Sequence, residues 1–293
     1  MPLEHVGACP ICQNTTFENH LTAKDYLVTQ NEFTVKCCGE CGFLITSPRP
    51  SETEISAYYQ SSEYISHSDK SESIQDAIYK TVRNFTIRQK IKLVEKHNQA
   101  GTILDYGTGT GTFLASMAPA RWARVAVEPS AEAQKKIPKE IEVHTSKETI
   151  SQSFDAITLW HVLEHVHSLN ETLKWLQQHL SANGTMFIAV PNPQSKDAQV
   201  YHSHWAAYDV PRHLWHFSKT NMHQLLKNNG LKVIDIKPMY FDAFYVSLLS
   251  EHHLKPQQAF GLRALKALVR GLQINMLAGE DNYSSLIYIA KHD

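Results

Sequence analysis

The sequence predicts an α/β protein, an open sheet of parallel strands with helices on both faces, preceded by a small cysteine-bound module. Three observations carry this. From residue 102 onward, short apolar runs bounded by turn residues alternate with stretches of helical periodicity, as buried parallel strands and their crossover helices do. The first run, Ile103-Leu104, ends at Asp105 and opens into Tyr106-Gly107-Thr108-Gly109-Thr110-Gly111. Glycines so spaced turn the backbone tightly and let a ligand lie against it. All five cysteines fall within the first 41 residues, as Cys9-x-x-Cys12 and Cys37-Cys38-x-x-Cys41.

Composition bounds the rest. The chain has 293 residues, 42% of them hydrophobic, with 28 Lys and Arg against 29 Asp and Glu. Such a length suits one large domain with an appendage. Near-zero net charge and the lack of a basic run speak against a protein built for phosphate backbones. No apolar stretch is long enough to span a bilayer. The polar, cysteine-bearing start does not read as a signal peptide, so a cytoplasmic protein is expected.

In a reducing compartment the cysteines read as a metal site before a disulfide framework. Cys9, Cys12, Cys38 and Cys41 would give four thiolates for one tetrahedral Zn2+, with Gly39 and Gly42 at the tight turns. Cys37 is the spare, and a pairing through Cys37 in place of Cys38 is spaced less well. A closed four-sulfur site serves folding rather than chemistry, so residues 1–48 are expected to form a structural zinc ribbon.

The elements then follow in order. Ser47-Pro-Arg-Pro50 is a rigid linker. Ser51-x-x-Glu54 has capping-box spacing and predicts a helix to about Tyr59. Residues 60–72, rich in Ser, Glu and His, read as a loop, with Tyr64-Ile-Ser-His67 a candidate to return over the active site. Ile78, Val82, Phe85, Ile91 and Val94 predict one long helix over 74–96. Residues 49–100 thus form a helical linker or cap before an α/β domain over 101–293. Strands are expected at 102–104, 123–127, 141–143, 154–159, 185–190, 231–236 and 284–290. The second ends at Glu128, placed to accept hydrogen bonds from both hydroxyls of a ribose. Ser168-x-x-Glu171 caps a helix whose Leu169, Leu173, Leu176 and Leu180 share a face, closed by Asn183-Gly184. A helix over 219–228 stops at Gly230.

Asp105-x-Gly-x-Gly-x-Gly111, Glu128, Phe154-Asp155 with His161-x-x-Glu164-His165, and Asn183-Gly184 together resemble a class I S-adenosylmethionine-dependent methyltransferase, with its Rossmann-like seven-stranded sheet. Trp160-His-Val-Leu-Glu-His-Val166, Val190-Pro-Asn192 and Asp209-Val-Pro-Arg-His213 are similar to a bacterial branch acting on small molecules, whose members often carry an N-terminal zinc ribbon. The resemblance implies that Asp105, Tyr106, Gly107, Thr108, Gly109 and Gly111 hold the methionine part of S-adenosyl-L-methionine. Glu128 would take the ribose, with Pro129 and Ser130 beside the adenine and Ser146 and Lys147 a further adenine contact. Trp160 and His161 would stand where cofactor and acceptor meet, at the carboxyl ends of the strands.

Other readings use some of the same residues. A nicotinamide-binding domain would want its third glycine one position later, at Thr112. His161-x-x-Glu164-His165 formally matches a zinc-protease pattern, but it follows a strand and no third ligand is evident downstream. A domain that binds cofactor or metabolite without reacting is a further alternative. So is a zinc-ribbon RNA methyltransferase, against which stand the neutral charge and the lack of a basic, aromatic-interleaved patch.

Methyl transfer needs the acceptor held in line with the methyl group, and an oxygen, nitrogen or carbon acceptor gains from a base. Of the 17 histidines, His161 and His213 are the candidates for that base, with Arg212 and Asp209 orienting a polar substrate. The acceptor is expected to be a small molecule, lipid-like or glycosidic, with no nucleic-acid partner. The insertion 238–283 carries a stripe of Leu262, Leu265, Leu268, Val269 and Leu272. It would pack on the core, meet another subunit in a homodimer, or form a lid with an apolar acceptor pocket.

Overall fold

A computed structural model of the chain describes residues 3–60, 74–279 and 282–293. The Tyr64–His67 stretch lies outside the described residues. The first half holds strands β1 (Leu3–Glu4), β2 (Phe17–Lys24), β3 (Glu32–Cys38), β4 (Leu44–Thr46) and β5 (Arg49–Pro50), and helix α1 (Ile74–His97). The α/β region follows as β6 (Gly101–Tyr106), α2 (Thr112–Ala115), β7 (Trp122–Val127), α3 (Ala131–Gln134), β8 (Glu142–His144) and β9 (Phe154–Trp160). Then come α4 (Leu169–Gln178), β10 (Leu180–Pro191), α5 (Lys196–Tyr201), β11 (Trp215–His216), α6 (Lys219–Asn228) and β12 (Leu231–Pro238). Helices α7 (Asp242–Leu254) and α8 (Phe260–Leu277) precede β13 (Ser285–His292).

Seven strands form the main sheet in the order β12-β13-β10-β9-β6-β7-β8. Strand β13 runs antiparallel between β10 and β12, whereas β9, β6, β7 and β8 pair in parallel. Register aligns Asp105 of β6 with Ala126 and Thr158 of its neighbours, so Tyr106, Val127 and Trp160 end at one rim. Because strand side chains alternate in direction, the sheet feeds two apolar layers. Leu104, Ile157 and Ile188 face α4 and α6, while Ile103, Phe187 and Ile289 face α1 and the glycine-turn helix α2.

The cysteine module is not a separate bead. Its sheet, β11-β4-β3-β2, is completed by Trp215–His216 from far down the chain. Its Ile11, Phe43 and Ile45 belong to the same apolar cluster as Leu173 of α4 and Leu225 of α6. Side-chain amides of Asn170, Asn221 and Asn228 donate to the main-chain carbonyls of Pro10, Cys41 and Ile11 at 2.8–2.9 Å.

Several local expectations change. Ser51 bonds Thr53 rather than an N–H, and the segment forms a 3-10 turn over Ile55–Tyr59 instead of a capped α-helix. Ser168 stands at the N-cap of α4 without a side-chain cap. Asn183-Gly184 does not close a helix but lies within β10, where pairing with β9 slips between Leu180 and Thr185. A Cβ at Gly184 would meet the Phe154 carbonyl at 2.9 Å, so the close approach of strands selects glycine there. The leucine stripe of α8 does not pack on the core. Leu262, Leu265, Leu268, Val269 and Leu272 are exposed, and Ala267, Gly271 and Ile274 form the buried face. Gly271 lets α8 close on Phe244 of α7, since a Cβ would reach its ring at less than contact distance. No helix among the described residues is long and apolar enough to cross a membrane.

Candidate functional site

The rim beyond β6 and β7 is built by the glycine turn. Gly107, Gly109 and Gly111 have φ of 75°, 59° and 70°, which only glycine adopts freely. A Cβ at Gly107 would lie 2.7 Å from Val162, whereas nothing stands within 4 Å of one at Gly109, so the turn packs below and opens above. The helix after it, α2, is a single turn. Glu128 ties the rim together by accepting from Gly109 N at 2.7 Å and Ser130 N at 2.9 Å. Burial raises its pKa against those two donors. Asp105, beneath the turn, accepts from the hydroxyls of Thr158 (2.6 Å) and Thr108 (2.7 Å). Burial outweighs these bonds and the nearby Lys90 and raises its carboxyl to about 6.

Of the remaining cofactor candidates, Pro129 and Ser130 lie exposed beside Glu128, and exposed Ser146 follows β8. The Tyr106 ring turns toward Trp175 of α4, centroids 6.4 Å apart. At the end of β9, Trp160 packs edge-on against Phe113 and under Lys90, whose ammonium sits 4.5 Å from the ring centroid. Burial pulls the Lys90 pKa down, while Asp242 and Asp105 hold its charge. An apolar cavity of about 400 Å³ opens here, lined by Phe85, Lys90, Met239, Phe241 and Asp242 among others. A larger groove, about 980 Å³, lies at the β12 edge against α6, away from the glycine turn, and brings no cluster of buried titratable groups.

His161 breaks the strand with φ of 59°. Its Nε2 meets Asp242 at 3.0 Å and its Nδ1 meets Glu164 at 3.4 Å. Burial disfavours the charged ring, but the two carboxylates prevail and raise it to about 9. His161 therefore carries its proton at neutral pH and is a poor base there, which alters the role the sequence suggested for it. His161 and His165 do not share a helix face: residues 163–165 are one 3-10 turn. His165 stacks edge-on with His213, centroids 4.6 Å apart, and burial with that neighbour lowers its pKa to about 4. The His213 Nδ1 donates to Ala207 O at 2.8 Å.

Arg212 is not free to orient a substrate. It is buried, and its guanidinium donates to Asp209, to Asp25 at 2.9 Å and to Tyr58 O at 2.9 Å. It clamps the cysteine module to the rim. In that module the sulfurs of Cys9, Cys12, Cys38 and Cys41 all lie within 4.8 Å of one another, with Cys9–Cys41 and Cys12–Cys38 at 3.5 Å. Bonds of about 2.3 Å in a ZnS4 tetrahedron set sulfur edges near 3.8 Å, so the four fit one zinc. Against burial, N–H groups of Cys41 and Glu40 draw the Cys38 thiol down to about 7. Cys37 points away toward Cys38 O and is not in the cluster.

Sequence reasoning missed Lys90, Asp242 and Asp25 as participants. Each lies far along the chain from its partner: folding sets Lys90 near Asp242 and Asp25 against Arg212. Glu164 was visible within the His161–His165 motif, but its burial was not.

A family model described as a methyltransferase domain matches residues 79–236. No curated protein sequence matches the chain. Solved structures do, at low identity. Magnesium protoporphyrin IX methyltransferase from Synechocystis PCC 6803, with bound S-adenosylhomocysteine, is similar at a TM-score of 0.53 and 13% identity over 83% of this chain and 100% of that one. The Burkholderia thailandensis 1,6-didemethyltoxoflavin-N1-methyltransferase is similar at 0.50 and 15% over 87% and 98%. Such identities speak to the fold.

Proposed function

The chain belongs to the methyltransferase domain family and carries the Rossmann-like sheet of class I S-adenosylmethionine-dependent enzymes, and on that premise we propose that it methylates a small-molecule acceptor. One observation supports this most: the open glycine turn joins two buried carboxylates, Asp105 and Glu128, at the ends of adjacent strands β6 and β7. The residues suit the cofactor. Gly109 leaves room for it, Asp105 offers a charge to its ammonium, and Glu128 has lone pairs left for ribose hydroxyls. Pro129 and Ser130 flank the adenine side.

When bound, S-adenosyl-L-methionine supplies a methyl group already activated by its sulfonium. This chain's residues then hold the acceptor. The cavity between α1 and the segment joining β12 to α7 has a mainly apolar wall with Gln89, Lys90, Lys237 and Asp242 at its polar side, which suits a molecule with an apolar body and a polar end. Lys90 and Asp242, the latter held by protonated His161, meet that end. Cys9, Cys12, Cys38 and Cys41 would hold a structural Zn2+ as four thiolates.

Calorimetric titration with S-adenosylhomocysteine tests the reading. Wild type should bind at micromolar affinity. Glu128→Ala should weaken binding by about ten- to a hundred-fold, as expected for charged hydrogen bonds worth about 1.5–3 kcal/mol. A wild type that does not bind would sink the proposal.

A further inference from the structure

The turn after β9 assembles a second group of potential metal ligands, remote in composition from the thiolates. Glu164, His165 and His213 each place one ligand atom within 4.8 Å of the others. Their meeting is fixed by the main chain, since Leu214 N donates to Glu164 O at 2.8 Å and so sets His213 beside the turn.

The chemistry of the group is unbalanced as it stands. The Glu164 side chain is buried, and among the described residues neither carboxylate oxygen accepts a hydrogen bond. His161 Nδ1 approaches one of its oxygens at 3.4 Å, an ion pair without hydrogen-bond geometry, and the other oxygen has no hydrogen-bond partner among the described residues. One long ion pair leaves lone pairs on a buried carboxylate that a metal ion would take up. The His165 Nδ1 lies 3.0 Å from Arg212 O and 2.9 Å from the Tyr59 hydroxyl, and the His213 Nδ1 2.8 Å from Ala207 O. A carbonyl only accepts and a hydroxyl both accepts and donates, so the tautomer with the proton on Nδ1 satisfies both rings and leaves each Nε2 a lone pair. Metal-binding histidines are oriented in this way, with the other ring N–H on a carbonyl.

We propose that Glu164, His165 and His213 bind a divalent first-row transition-metal ion. Two imidazoles and one carboxylate suit zinc, iron or manganese rather than calcium or magnesium. Three protein ligands leave a position for water or for an acceptor oxygen. The site stands on the geometry alone; only the suggestion that it takes the acceptor's oxygen rests on the methyltransferase reading.

The test counts metal and does not depend on methyl transfer. Full-length protein is equilibrated with Mn2+, freed of excess, and its total bound divalent metal is measured per chain by emission spectrometry. Glu164→Gln and His213→Ala are treated alike, with S-adenosylhomocysteine binding as the check on folding. Each variant should hold one equivalent less than wild type while still binding the nucleoside. Equal counts in folded proteins would overturn the site. Should the variants not fold, wild type decides alone: bound Mn2+ should show imidazole nitrogen modulation in pulsed electron paramagnetic resonance. Bound Mn2+ without it, or no metal beyond what the thiolates hold, would also overturn the site.

Discussion

Asp105→Asn should make the empty protein more stable and the cofactor site worse. Burial raises the Asp105 carboxyl from 3.8 to about 6. At about 1.36 kcal/mol per pKa unit, that shift amounts to about 3 kcal/mol of strain on the ionised form. The sign follows from linkage. Between pH 3.8 and about 6 the folded state binds the proton more tightly than the unfolded chain. The favourable contribution is complete below the unfolded value and is lost as pH rises through about 6. At pH 7.5 the native protein therefore holds a charge it would be more stable without. Asparagine removes the charge and keeps polar atoms for the hydroxyls of Thr108 and Thr158, which rotate to suit. We expect stabilisation of about 1–3 kcal/mol at pH 7.5, or a midpoint higher by about 2–6 °C in a chain of this size. The difference should shrink to nothing by about pH 4. Affinity for S-adenosylhomocysteine should fall by about ten-fold or more with the charge partner of the ammonium gone. Thermal unfolding of both proteins from pH 4 to 8, beside calorimetry, measures all of this. A variant less stable than wild type at pH 7.5, or a gap that does not change with pH, would refute the reasoning.

Two further outcomes follow from how the cysteine module is held. Arg212→Met strands Asp25, buried at 0% exposure, and Asp209 without their cation, and should lower stability by about 3–5 kcal/mol in denaturant titrations; unchanged stability would mean that the clamp contributes nothing. Cys38→Ser should abolish zinc retention and also lower the melting temperature of the whole chain, because Ile11 and Phe43 share a core with α4 and α6. An independent, low-temperature melt of the module alone would contradict that coupling.

What the sequence determined by itself was set by local physics. Apolar runs marked all seven strands of the main sheet, the inner ones because a strand buried on both faces can hold little else, while the edge strands β8 and β12 are only partly buried. The 219–228 helix falls where it was read, since the Ser218 hydroxyl accepts from Asn221 N and Gly230 takes φ of 71° just past the end. The glycine turn and the paired C-x-x-C knuckles were legible for the same reason: backbone geometry and ligand spacing act over a few residues. Tertiary structure decided the rest. Gly184 is a glycine because β9 crowds it, not because a helix ends there. Arg212 looked ready for a substrate until Asp25, 187 positions away, took its guanidinium. His161 holds a proton because Asp242, on an inserted helix, stands 3.0 Å away and joins Glu164 in facing the ring. Glu164 became a candidate ligand only when folding buried it beside His213. Charge, protonation and metal affinity depend on desolvation and on partners brought in from distant positions, and no short window of sequence contains either.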